Sequence, residues 1–255
     1  MKDALQATPR KGSRLSRIGI WTAIIGVILA ALSGLAARTG ILPASASMGS
    51  YALASLLFLI SAVTAGLGLI RSGGTAGTVS APATWLALLA GLAITINNGV
   101  MLQRGMSAPG IHDITTDTDY PPAFVAVVPL RQKDTQAPPE YPGPATAAAQ
   151  KRSYPEIKPL FFSRPANVVF DAALAVVADK GWTLVDSNVA DGRIEATAES
   201  RWIRLKDDVV IRVQPGRDQT RVDVRSKSRA DRGDMGANAS RVQDYLDSLN
   251  ERLAR

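Results

Sequence analysis

The pattern of apolar and polar positions changes character near residue 104. Before it lie long uncharged runs: Ile18–Ala37 (IGIWTAIIGVILAALSGLAA) and Tyr51–Ile70 (YALASLLFLISAVTAGLGLI), twenty residues each, and Trp85–Leu102 (WLALLAGLAITINNGVML), eighteen. At about 1.5 Å rise per residue, about 20 apolar residues cross a hydrocarbon core of about 30 Å, so three transmembrane helices are predicted within 18–104. Trp21, Tyr51 and Trp85 lie near the run ends, where amphipathic rings favour the membrane interface. Small residues recur every three or four positions: Gly26, Ala30 and Gly34, then Ala62 and Gly66, then Ala87, Gly91, Thr95 and Asn98. Such stripes let helices approach closely, with Thr or Asn bonding across the contact. No ionisable residue interrupts the runs, which argues against a transport pathway through Asn97 and Asn98.

After residue 104 the periods shorten. SRPANVVFDAALAVVADKG (163–181) reads as a helix with Ser163 as N-cap, an apolar face of Val169, Phe170, Ala173, Leu174 and Val177, and Gly181 closing it. WTLVDS and RIEATAES read as strands, and DDVVIRVQPGRDQTRVDVRSKSR as a hairpin with Val209, Ile211 and Val213 on one face. A final helix carries Val242, Tyr245, Leu246, Leu249 and Leu253 on one stripe, with Ser240 and Gln243 as a possible capping box. Two helices on one face of an antiparallel sheet is the economical way to bury these faces, so the expected fold class is α+β behind three transmembrane helices. Between the spans and this domain come a short apolar run, FVAVVPL, and the Pro/Ala-rich RQKDTQAPPEYPGPATAAAQKRSYPEIKP, which reads as an exposed linker or long loop. The expected organisation is a basic N-terminus at 1–17, the spans at 18–104, a connector at 105–157 and the α+β domain at 158–255.

Charge orients the spans. Lys2, Arg10, Lys11, Arg14 and Arg17 precede the first run, whereas the two loops carry only Arg38 and Arg71. Cytoplasmic flanks are enriched in Lys and Arg, so the N-terminus is expected in the cytoplasm and the α+β domain outside, periplasmic in a bacterium with its inner membrane spanned. A cleaved signal peptide ending near SGLAA is the rival; its apolar stretch exceeds the usual length of about 7–15 residues. The formal net charge of +7 comes from the first 104 residues, because residues 105–255 hold 21 Lys/Arg and 21 Asp/Glu. A nucleic-acid partner is therefore not expected, since phosphate binding needs positive charge on the folded domain. With no cysteine and one histidine, thiol chemistry and multi-histidine metal sites are excluded within the chain, and no cofactor is expected.

Two stretches hold the candidate chemistry. PGIHDITTDTDYPPAF (109–124) contains His112, Asp113, Asp117 and Asp119. As a metal site it lacks the glycine and spacing of a calcium loop, and its local reading is a shaped connector whose Asp and Thr side chains bond nearby amides. TRVDVRSKSR places Arg221, Asp223, Arg225, Lys227 and Arg229 on one strand face. Either it is an anion or lipid-headgroup surface, or a solvated face paired with Glu195, Glu199 or Asp218. DRGDMGAN (231–238) reads as a turn-rich approach to the last helix. Binding candidates are Arg225, Lys227, Arg229, Asp234 and Asn238. A hydrolase would need a serine from RSKS or NAS beside His112, without a G-x-S-x-G elbow.

Taken together, GIHDITTDTDYPPAF and RSKSRADRGDMGANASRV resemble the two signatures of the bacterial domain-of-unknown-function family 1499, over roughly residues 109–255. The resemblance implies an envelope or membrane-associated protein without an assigned activity. It also implies a cysteine in an NCV-like stretch, where this chain has NVV at Asn167–Val169. The reading is thus a non-enzymatic envelope module whose partners are the lipid bilayer and an envelope protein or lipid headgroup. The alternative is a small-ligand-binding or hydrolytic module, should the 112–119 and 225–238 stretches meet in space.

Overall fold

In a computed structural model, residues 11–42, 44–73, 81–107, 109–134, 137–200, 204–229 and 235–254 are described. They form a helical unit ending at Gln103 and an α+β unit from Arg104 to Ser200 and from Leu205 on.

The helical unit contains α1 (Lys11–Thr39), α2 (Ala44–Arg71) and α3 (Ala81–Ser107, whose apolar part ends at Gln103). All three are long and apolar enough to cross a membrane. The small-residue stripes lie at helix contacts. A Cβ added to Gly91 would sit 2.7 Å from the Phe58 carbonyl oxygen, and one added to Gly26 would sit 3.3 Å from the Phe58 ring. Gly19, outside the expected stripe, is tighter against α2: its Cβ would meet Ala65 Cβ at 2.8 Å. Ser61 of α2 touches both neighbours, its hydroxyl 2.8 Å from Gly19 O and 3.2 Å from Ala87 O. Asn98 donates to Ser55 Oγ at 2.9 Å, the inter-helix amide bond that the pattern anticipates. Large apolar side chains such as Ile28, Leu35, Leu86 and Ile96 are exposed, the surface a bilayer would cover.

The α+β unit is built on a six-stranded antiparallel sheet in the order β1-β6-β5-β4-β3, with β2 also on β6. Its strands are β1 (Asp113–Thr115), β2 (Leu160–Phe162), β3 (Thr183–Asn188), β4 (Arg193–Glu199), β5 (Lys206–Pro215) and β6 (Thr220–Ser228). The short β1 and β2 share one edge of β6, pairing with residues 225–227 and 220–222. Helices α6 (Ala166–Asp179) and α7 (Ala237–Ala254) cover one face, as the α+β reading requires. The expected faces fill that core: Val169, Phe170, Ala173 and Val177 of α6, Val209, Ile211 and Val213 of β5, and Val242, Tyr245, Leu246 and Leu249 of α7 are all buried. Burying one such side chain contributes about 1.5–3 kcal/mol.

The helix starts differ from expectation. Pro165, not Ser163, occupies the N-cap of α6, without a side-chain cap bond, because its ring fixes φ where the helix begins. Helix α7 starts at Ala237, so Ser240 lies inside it and donates its amide to Gly236 O, while Gln243 reaches forward to Asp247; no capping box forms. Gly181 does close α6, at φ 67°.

The stretch expected to be an exposed linker is exposed at many positions but is attached to the sheet at a few. With the apolar run before it, it holds α4 (Val128–Asp134) and α5 (Pro144–Ser153), and Arg131, Ala147, Gln150 and Ile157 are buried. Its Pro and Ala content hid this, because the attachments are polar and not periodic. Gln150, for example, accepts from Thr115 N and donates to Thr115 O, extending the β1 edge through a side chain.

Candidate functional site

The sheet face opposite α6 and α7 is charged. Strand alternation brings to it Arg221, Asp223, Arg225 and Lys227 of β6, Asp208, Val210 and Arg212 of β5, Glu195 and Thr197 of β4, and Asp113 of β1. Residues 116–134 and 137–142 run over this face as a strap. A small apolar patch of Phe124, Val127 and Val210 lies beneath it. Most attachments are ionic.

Arg225 is the central one. Its guanidinium forks onto Asp113, Nε and Nη2 each 2.8 Å from a carboxylate oxygen, and donates to the carbonyls of Pro122 and Pro139 at 2.9 and 2.8 Å. It also lies over the rings of Phe124 and Tyr141, 4.6 and 5.6 Å from their centroids. Only the planar fork of arginine meets two carbonyls, a carboxylate and two rings at once. A second cluster joins Arg131 of α4 and Arg229 to Asp208 at 3.0 and 2.6 Å, with Arg229 continuing to Asp134 at 2.6 Å. In a third, Arg212 and Arg221 each reach both Asp117 and Asp223. Glu195, fully buried, accepts from three consecutive strap amides, Val125, Ala126 and Val127, at 2.9–3.1 Å, with Arg193 Nε 2.9 Å away.

These contacts shift proton affinities in consistent directions. A hydrogen bond from Lys206 holds the Asp134 carboxyl below its ordinary value, against the desolvation that opposes it. Burial pushes the Lys227 ammonium down, countered by Asp113. Burial, reinforced by Asp113, pushes the Tyr141 hydroxyl up to about 12.

Beside this lattice is a cleft of about 610 Å³. Pro109, Ile111, Ala137, Pro138, Pro142 and Ala145 supply apolar wall, and His112, Asp113, Tyr141 and Lys227 the polar groups. Lys227 Nζ donates to Glu140 O at 2.7 Å and lies 3.0 Å from Asp113 Oδ2. By contrast, the His112 Nδ1 and Tyr141 hydroxyl atoms are buried without a hydrogen-bond partner among the described residues.

The sequence candidates are distributed accordingly. The 112–119 and 225–238 stretches do meet, Asp113 pairing with Lys227 across β1 and β6. Their carboxylates do not converge: Asp113 faces Arg225 and Lys227, and Asp117 faces Arg212 and Arg221. Asp119 lies outside, in an exposed pair with Lys151. Asp117 also shapes the turn as expected, accepting from the amides of Asp119 and Tyr120. The 112–115 part of the connector is more than a turn, because β1 joins the sheet there. The expected solvated face of β6 is a correction: Arg225, Lys227 and Arg229 are buried under the strap, paired with Asp113, Asp134 and Asp208 instead of Glu195, Glu199 or Asp218. Asn238, fully buried, ties α7 to the sheet by accepting from Ser226 Oγ at 2.6 Å and donating to His112 O at 3.2 Å. The hydroxyls of Ser226 and Ser228 are committed to Asn238 and Asp207. Asp234 lies outside the described residues. Arg131, Asp208 and Tyr141 escaped the sequence reading, and Glu195, read there as a surface partner of β6, is instead the buried acceptor of the strap amides. The one signal for Tyr141 was an aromatic ring between prolines in PPEYPGP.

A family model described as protein of unknown function (DUF1499) matches residues 113–249, more than half of the chain. The chain belongs to the DUF1499 family. The DUF1499 match starts on the first residue of β1 and ends in α7, so strap and α5 fall inside the family domain. No curated protein matches the chain.

Proposed function

We propose that this DUF1499 protein is a membrane-tethered, non-enzymatic binding module of the bacterial envelope, with its cleft as the ligand site. The carrying observation is how the polar groups are divided. The carboxylates of the charged face are held by cations or backbone amides, whereas two buried polar atoms at the cleft, on His112 and Tyr141, have no partner. A general acid or base needs a group free to exchange its proton with a substrate, and the charged face offers none. A lipid headgroup bound at β6 would have to displace Asp113 and Asp208 from buried arginines, which strongly disfavours that face. The three apolar helices support an anchor in the inner membrane. Basic residues before the first span support a cytoplasmic N-terminus and an extracytoplasmic domain.

Reporter fusions to Arg255 test the placement. Alkaline phosphatase, active only outside, is expected to be active there, and a cytoplasm-only fluorescent protein dark. The reverse result removes the extracytoplasmic reading.

A further inference from the structure

We propose that the cleft binds a long-chain neutral amphiphile, an aliphatic tail ending in an uncharged hydroxyl or carbonyl group. The proposal rests on the reading of the domain as a binding module and specifies its ligand. Size comes first: at about 610 Å³ the cleft falls within the range of about 300–1,000 Å³ typical of small-molecule sites. The apolar part of its wall is prolines, alanines and an isoleucine, which suit an aliphatic tail.

The polar groups specify the head. A buried donor or acceptor without a partner is costly, and two residues of this cleft carry one each: the His112 Nδ1 and Tyr141 hydroxyl atoms are buried with no hydrogen-bond partner among the described residues. Burial keeps Tyr141 protonated to about pH 12, so it donates at neutral pH. A ligand hydroxyl can accept from Tyr141 and bond to an imidazole nitrogen in either sense. Formal charge disfavours the ionic heads. Arg225 and Lys227 both pair with Asp113, and Lys227 also donates to the Glu140 backbone carbonyl, so a carboxylate would have to compete with Asp113 for them and an ammonium would meet two cations beside one buried carboxylate.

The single histidine supplies the assay. Full-length protein labelled with 15N-histidine and held in lipid nanodiscs gives one set of imidazole signals. Decan-1-ol, decanoate and decylamine are added at equal mole fraction in the lipid. Decan-1-ol is expected to move the His112 signals saturably, and each ionic probe to bind roughly ten-fold more weakly or less. Tyr141→Phe should weaken decan-1-ol roughly five-fold, the loss of one neutral hydrogen bond. Ala145→Phe, at an exposed wall position, should abolish the response while the circular dichroism stays unchanged. Equal affinity for all three probes, or a decan-1-ol response that survives Ala145→Phe, overturns the proposal. If an ionic probe alone saturates and Ala145→Phe blocks it, the neutral ligand class falls and the binding site stands. If none of the three moves His112, the cleft falls as a binding site too.

Discussion

Glu195→Gln tests how the strap is held. The carboxylate is fully buried and takes Val125 and Ala126 amides on Oε1 and the Val127 amide on Oε2. Glutamine keeps the shape but must turn an NH2 toward a donor. Its better orientation sets that group against Val127 alone and leaves Oε1 for the other two. One charged bond of about 1.5–3 kcal/mol is then lost, and two others drop to the neutral range of about 0.5–1.5 kcal/mol, a cost of about 3.5–6 kcal/mol together. With a urea m-value near 2 kcal/mol/M, the unfolding midpoint of the α+β unit should fall by about 2–3 M. Pulse proteolysis across a urea series, on full-length protein in nanodiscs, reads that midpoint. Hydrogen exchange should show amides 125–127 losing protection. Asp119→Asn is the control, since its pair with Lys151 is exposed at both ends and such pairs are worth about 0–1 kcal/mol. A Glu195→Gln midpoint equal to the control's, with protection retained at 125–127, would refute the claim that this carboxylate anchors the strap.

Arg225→Lys should cost about 2–4 kcal/mol, because an ammonium cannot serve Asp113 and the carbonyls of Pro122 and Pro139 in one plane; a urea midpoint within error of the parent's counts against it. Tyr141 provides an alkaline signature. Its folded pKa is raised from 10.0 to about 12, so its contribution to stability is complete below about pH 10 and is lost as pH rises through about 12. Tyrosinate absorbance should show a late component that is missing in Tyr141→Phe; identical titrations would contradict the burial of this hydroxyl. In the helical unit, Gly91→Val forces a side chain to within 2.7 Å of the Phe58 carbonyl oxygen and should cost about 1–3 kcal/mol, whereas Gly99→Val meets nothing within 4 Å. Thermal melting in detergent that shifts equally for both would show that the α2–α3 approach is looser than described.

Periodic information was readable from the sequence. The three spans, the faces of α6 and α7 and the β5–β6 hairpin all repeat at 3.6 or 2 residues, and apolar burial follows such repeats directly. What stayed hidden is aperiodic and long-range. Arg131 reads as one cation in a polar linker until Asp208, far along the chain, is brought to it. The alternation of Arg221, Asp223, Arg225, Lys227 and Arg229 was legible as a shared face, but a charged face reads as solvated. Only the strap, itself without an apolar period, turns it into an interior. The cleft was illegible for the same reason, since its walls come from either side of β1 and from the strap.

The balance of charge and apolar contact beneath the strap suggests what the ion pairs are for. Buried ion pairs contribute little net stability relative to apolar packing of the same volume, yet breaking one costs about 3–5 kcal/mol. A strap held by Phe124 and Val127 alone could slide along Val210 at little cost, because dispersion and burial are not directional. Sliding by one residue would separate Arg131 from Asp208 and move three amides off Glu195, leaving buried charges uncompensated on β4 and β5. The charges therefore select one placement more than they deepen it. That placement also sets the cleft, whose wall from Ala137 to Pro142 is the far end of the strap, pinned at Pro139 and Glu140 by Arg225 and Lys227. A substitution that loosens Arg225 should thus reach the cleft without touching its apolar wall.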